Sequence, residues 1–353
     1  MGRRSSTCYA ARVMLPARLP LAAIGALSLL AACASAPPPP PVVPPAPPAP
    51  PPPAVAVAPA DAGVVDAAPP APEPAPAAAG GPVACPAEMA LVDGDYCTEL
   101  ELTCKKSSYA KQNKKIICHE FASPTKCVGQ KLHRRYCIDR YEYANKAGEK
   151  PVVMNDFPHA QRLCAAQGKR VCTETEWTQA CEGPEYKPYP YGYARDPEKC
   201  RGDRPYRHPK KQANGMLVTH SKDKDKAEAE IARLYDAVPS GSQPNCVSDY
   251  GVHDLPGNAD ELAASERANR TYAQMKMPDG HVEALRSADL YDNVTTGGPW
   301  VGGVRNQCRP KIYTHNEGFS YYYLSFRCCA EPDGKPTDPR SPGQLKRGEK
   351  WRE

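Results

Sequence analysis

Fourteen cysteines fall between Cys85 and Cys329, and their even number limits what this chain can fold into more than any other feature. The chain has 16 in all; Cys8 and Cys33 lie apart, near the N-terminus. Zinc coordination competes for clustered cysteines, but the sequence contains no C-x2-C pair and no closely spaced histidine pair. The set therefore reads as a disulfide framework built in an oxidising compartment. Cys85, Cys97, Cys104, Cys118, Cys127 and Cys137 crowd the front of this region, and sequence alone leaves their pairing open.

The segment before Cys85 is expected to lie outside the fold. Arg3, Arg4, Arg12 and Arg18 precede an apolar run from Leu19 to Ala32 that is shorter than the ~20 residues a bilayer span needs. Leu30-Ala31-Ala32-Cys33 resembles a bacterial lipobox, so residues 1–32 are expected to be a lipoprotein signal peptide and Cys33 its lipidation site. Acylated Cys33 would make a lipid bilayer one partner and place the protein in the cell envelope. Ala34, which is not an aspartate retention signal, favours the outer membrane, with the domain in the periplasm or at the cell surface. Residues 33–83 are almost wholly Pro, Ala and Val after the cysteine. Proline fixes φ and lacks an amide donor, so this stretch is expected to be a disordered tether rising about 3.1 Å per residue. The formal charge of +5 falls to about +1 once the four leader arginines are set aside, and the lysine pairs at 105–106 and 114–115 read as solvated faces. No nucleic-acid partner is expected.

The rest is long enough for one sizeable core. Asn155 or Asp156, Pro158 and Gly168 bracket a helix whose apolar positions are Phe157, Ala160, Leu163 and Cys164. Thr173 and Glu176 form a capping box for a second helix, with Trp177, Ala180 and Cys181 on its inner face. Around these helices short motifs follow in a fixed order. GKRVCTETEW (168–177) comes first, then YPYG (189–192), GVHDLPGNADEL (251–262), GGPW (297–300) and FRCC (326–329).

Together these motifs resemble the sulfatase-modifying factor family, whose type member is the formylglycine-generating enzyme. The resemblance spans roughly Tyr136 to Cys329. It implies an α+β, C-type-lectin-like fold that is loop-rich and stapled by disulfides. Residues 84–135 would then be a Cys-rich N-terminal extension, 136–332 the family domain and 333–353 a disordered tail. The resemblance further implies the bridges Cys164–Cys328 and Cys181–Cys308. That leaves Cys172 with Cys329 as neighbouring partners, and Cys200 is assigned to Cys246 because both lie in the central loops. It also implies calcium on the Asp254 and Glu261 carboxylates and on the carbonyls of Gly257 and Ala259. Asp260 and Leu262 stand where the family motif has tryptophans.

The family's oxidation of a substrate cysteine needs Cu(I) held by two thiolates, since soft sulfur suits that ion. Here Gly298 and Gly303 occupy the positions ten and five residues before Cys308 where those cysteines are expected. No copper is therefore expected, and no residue is assigned a catalytic role. The histidines form no H-x3-H-x-E group of the kind used by the related non-haem iron sulfoxide synthases. Three functions stay open. The leading one is a lipid-anchored, non-oxidising module that binds a peptide, protein or glycan. The others are a metal-dependent oxidoreductase of the same superfamily with an unrecognised site, and a purely structural envelope module. Nineteen tyrosines, including Tyr321-Tyr322-Tyr323, supply flat surfaces with polar tips suited to recognition.

Overall fold

The computed structural model describes residues 84–111, 114–266, 291–301 and 303–352, together with the backbone of 272–276 and 282–285. The expectations for the signal peptide, Cys33 and the tether lie outside the described residues, as does Gly302.

Helix α1 (Phe157–Ala165) begins where Asp156 accepts the His159 amide at 2.8 Å. Asp156, rather than Asn155, is thus the cap. The helix closes on Gly168 at φ +68°, a left-handed conformation that costs glycine little. Helix α2 (Glu174–Glu182) opens with the reciprocal Thr173–Glu176 box, which satisfies two backbone amides that the first turn leaves free. Its Trp177, Ala180 and Cys181 are buried in the main apolar cluster with Tyr136, Ile138 and Leu255.

The strands form three small sheets. The first runs Met89–Cys97, Lys131–Asp139, Cys328–Ala330, Arg170–Val171, with all pairs antiparallel. The second runs Lys311–Ile312, Asn293–Thr296, Asp260–Ala264, Leu324–Phe326, and its last pair is parallel. The third joins Lys115–Phe121 and Glu99–Ala110 to Tyr272–Lys276 and Val282–Leu285. Between Phe326 and Cys328 the chain leaves the second sheet and enters the first. Arg327, wholly buried at that crossing, gives both sheets a common anchor.

The N-terminal extension is integral to the domain. Met89–Cys97 pairs residue for residue with Lys131–Asp139, so residue 135 marks no boundary in the fold. Its five cysteines and Cys137 pair concentrically as Cys85–Cys137, Cys97–Cys127 and Cys104–Cys118. Nesting of this kind follows from one antiparallel excursion folded back on itself. The remaining bridges are Cys164–Cys328, Cys172–Cys329, Cys181–Cys308 and Cys200–Cys246. The first three span 164, 157 and 127 residues and tie the two helices to the C-terminal strands. Seven disulfides mark an extracytoplasmic protein. Among the described residues no helix is long and apolar enough to cross a membrane.

The C-terminal segment corrects the expectation of a disordered tail. Ser341 and Gln344 box the start of a short helix, α3 (Pro342–Lys346). Gln161 of α1 donates to Gln344 at 2.8 Å, and Arg347 grips the Asp292 carboxylate with both terminal nitrogens. Polar composition suggested solvation, but paired charges and a capped turn anchor the segment instead.

Candidate functional site

The strand Asn293–Thr296 delivers the glycine-rich loop 297–308, where the family's chemistry would sit. Gly297 and Gly298 have φ of +86° and +70°, so the strand turns sharply into the loop. Gly297 lies against the Trp177 indole, and a Cβ there would stand 2.8 Å from Cζ2. Asp260, on the neighbouring strand, accepts from the Gly298 amide at 3.2 Å and from Arg305 Nη1 and Nη2 at 3.0 and 2.7 Å. The acid that replaces a family tryptophan thus finds its counter-ion in the loop itself.

Asn306 fills the middle of the loop. Its Nδ2 donates to the carbonyls of Gly297, Gly298 and Pro299 at 3.3, 3.1 and 3.1 Å. A Cβ built on Gly303 would overlap the Asn306 carboxamide, and one on Gly298 would lie 3.1 Å from Asn306 Nδ2. The space that a side chain at 303 would take is therefore occupied by this amide, and the space at 298 is shared between it and Arg305. Arg195 and Asp203 hold the loop from the other side. Gly303 N donates to Asp203 at 3.0 Å and Arg195 donates to the Gly303 carbonyl at 3.2 Å. Burial alone would raise the Asp203 pKa, but Arg195 and the Gly303 amide outweigh it and hold the carboxyl below its usual range. Cys308 closes the loop through its bridge to Cys181. A pocket beside the loop, lined by Tyr191, Arg195, Pro256 and Asn306 among others, has room for about one water molecule. Arg195 Nε and Asn306 Oδ1 are buried at its wall without a protein partner.

The residues expected to hold calcium come together differently. Glu261 accepts from Arg327 Nε and Nη2, both at 2.7 Å, and from the Trp177 indole at 3.0 Å. Its two oxygens are therefore committed to a guanidinium that also bonds the Asp139 and His253 carbonyls. Asp254 accepts the Gly241 amide at 2.7 Å and leaves Oδ1 buried without a partner. Burial pushes the Asp254 carboxyl up to about 6. Burial and the nearby Asp254 charge push Glu142 well up too, although it accepts from Ala259 N, Ser240 Oγ and Asn258 Nδ2. Asp254, Gly257, Ala259 and Glu261 do not fit a calcium ion in this arrangement. Only one carboxylate oxygen is open, and the arginine already supplies the positive charge. Among the described residues no group of three or more His, Cys, Asp or Glu is disposed to hold a metal.

Next to the loop lies an aromatic shelf. His315 stacks on Phe319 at 3.7 Å and Phe319 on Tyr321 at 5.8 Å. Tyr321 meets Tyr323 edge-on at 4.7 Å, and Tyr323 reaches Trp300 of the loop. Tyr206, 45% exposed, bonds its hydroxyl to that of Tyr321 at 3.1 Å. Burial pulls the His315 imidazole pKa down, so the ring is largely neutral near neutral pH. The tyrosine triplet was legible in the sequence; its meeting with Tyr206, Phe319 and His315 was not. Nor were the roles of Asn306, Arg305 and Arg195, for which no spacing rule gives a signal. The one hint was Asp260, an acid where the motif asks for an indole.

The sulfatase-modifying factor enzyme 1-like domain family matches residues 100–332. Solved structures with a similar arrangement include PvdO from Pseudomonas aeruginosa, at 14% identity and a TM-score of 0.38, covering 69% of this chain and 94% of that one. CarF is similar at 12% identity and a TM-score of 0.37, covering 70% of this chain and 98% of that one. Treponema denticola variable protein 1 is similar at 13% identity and a TM-score of 0.40, covering 69% and 95%. No curated protein matches the chain. Matched over most of its length, with the α+β disulfide-stapled fold to go with it, the chain belongs to the sulfatase-modifying factor enzyme 1-like family.

Proposed function

We propose that this protein is a non-oxidising recognition module of its family, held outside the cytoplasm by a lipid on Cys33 and a proline-rich tether. Its ligand, a peptide, protein or glycan, would lie across the aromatic shelf beside the glycine-rich loop. The observation that carries this reading is the fate of sulfur. Each of the fourteen cysteines from Cys85 to Cys329 is committed to a disulfide. The loop position meant for a thiolate pair is filled by the Asn306 carboxamide. A dithiolate Cu(I) site needs two free sulfurs within reach of each other, and the described residues provide none. On the shelf, rigid tyrosines give contact area at low entropic cost.

The test is an oxidation assay on a cysteine-containing peptide, with copper and O2, using the chain with its disulfides intact. Background-level turnover is expected, together with binding to a peptide or glycan array that Tyr321→Ser and Tyr206→Ala weaken. Turnover well above background would overturn the reading in favour of an oxidoreductase. A flat array would favour a purely structural role.

A further inference from the structure

The hairpin formed by Glu99–Ala110 and Lys115–Phe121 changes character along its length. Up to Cys104 its inner face carries Leu100, Leu102 and Cys104, buried with Phe121 and Tyr189. Beyond the Cys104–Cys118 bridge the residues from Lys105 to Tyr109 are all exposed. In a strand lying against a body, alternate residues would be buried. Five exposed in a row mean that this strand stands clear as the open side of a two-stranded ribbon, whose other strand rests Ile116 against the apolar cluster. The parallel partner strand Tyr272–Lys276 meets the hairpin only along Glu99–Thr103, so among the described residues nothing covers the outer edge of Lys105–Ala110.

The ribbon is strongly basic. Lys105, Lys106, Lys111, Lys114 and Lys115 are exposed, and of these only Lys106 has an ion pair among the described residues, with Glu120 at 3.0 Å. Tyr109, directly opposite Ile116, is 59% exposed, which is unusual for so large a ring. Lysines surrounding an exposed tyrosine form an interfacial pattern. The aliphatic stems and the ring contact the headgroup region while the ammonium groups meet phosphate. A soluble polyanion would reward the charge but not the ring, and the disulfides argue against an intracellular nucleic acid.

We propose that this ribbon docks on the anionic lipid headgroups of a bilayer, making a second, reversible membrane contact separate from any acyl anchor. It orients the domain on the surface and does not depend on what the aromatic shelf binds. Four uncompensated lysines, each worth roughly a three- to five-fold gain near an anionic surface, give roughly 100- to 1000-fold tighter partition than onto a neutral one.

The experiment uses the full chain with Cys33→Ser, to remove acylation, and Tyr109→Trp as a local reporter. The probes are phosphatidylcholine vesicles with and without phosphatidylglycerol, carrying brominated lipid as quencher. Quenching of the new indole is expected on anionic vesicles only, weakening steeply with salt. Replacing Lys105, Lys111, Lys114 and Lys115 with Gln should lower partition by roughly two orders of magnitude. Circular dichroism and intact disulfides would show that the fold is retained. The proposal is overturned by an unquenched indole or by partition unchanged in the Gln variant. It is equally overturned if inorganic polyphosphate binds as tightly as vesicles and Tyr109→Ser has no effect, because the ligand is then a soluble polyanion.

Discussion

Gly303→Ala isolates the role of Asn306. The effect of the substitution comes from the overlap between the new methyl and the Asn306 carboxamide. To admit the methyl the amide must leave, which strips a donor from three carbonyls at 3.1–3.3 Å. At about 1 kcal/mol for each of the two N–H donors the three carbonyls share, with a further ~1–3 kcal/mol for crowding a packed site, Gly303→Ala should cost about 3–5 kcal/mol. Asn306→Ala alone loses the same bonds without the crowding and should cost about 2–4 kcal/mol. In the double variant the carboxamide is gone and only the residue-306 Cβ, 2.9 Å from the new methyl, must shift, so its cost should stay within about 1 kcal/mol of that of Asn306→Ala. The cycle then gives a coupling of at least about 2 kcal/mol, where independent sites add to within ~0.5 kcal/mol. Urea unfolding with disulfides intact measures all three. Additive costs, or a Gly303→Ala variant as stable as the parent, would show that the amide does not fill this space.

Arg327→Met should destabilise by about 3–5 kcal/mol in the same assay, because it strands the Glu261 carboxylate in the core. The Asp254 pKa is raised on folding, so the native state binds a proton more tightly than the unfolded chain. Stability should therefore be fullest below about pH 4 for this group and fall as pH rises towards about 6, by up to about 3 kcal/mol; Asp254→Asn should flatten that slope and stabilise the protein at pH 7. Millimolar calcium should leave the melting temperature unchanged, and a rise of several degrees would mean that Glu261 can leave Arg327. Cys172→Ala/Cys329→Ala should cost about 3 rather than about 5 kcal/mol in the chain-entropy model. The adjacent Cys164–Cys328 bridge already closes nearly the same loop, leaving only about ten residues for the second bridge to constrain.

Local chemistry alone determined much of this protein. The caps at Asp156 and Thr173, the glycine stop at Gly168 and the buried Trp177 each depend on residues within one or two turns, which is why they can be read from sequence. The motif order gave the family and, with it, the bridges from Cys164 and Cys181. Gly298 and Gly303 marked the missing thiolates for the same reason. What depends on distant pairing had to await the folded chain. The nested cysteines of the extension, the crossing of Arg327 between two sheets and its hold on Glu261 join residues far apart in sequence. Asn306 fills the space beside two glycines, and Arg347 anchors a segment whose composition suggested a loose tail. A charge or an amide carries no periodicity to announce its partner. Its role was settled only when packing removed water and left it one group to bond.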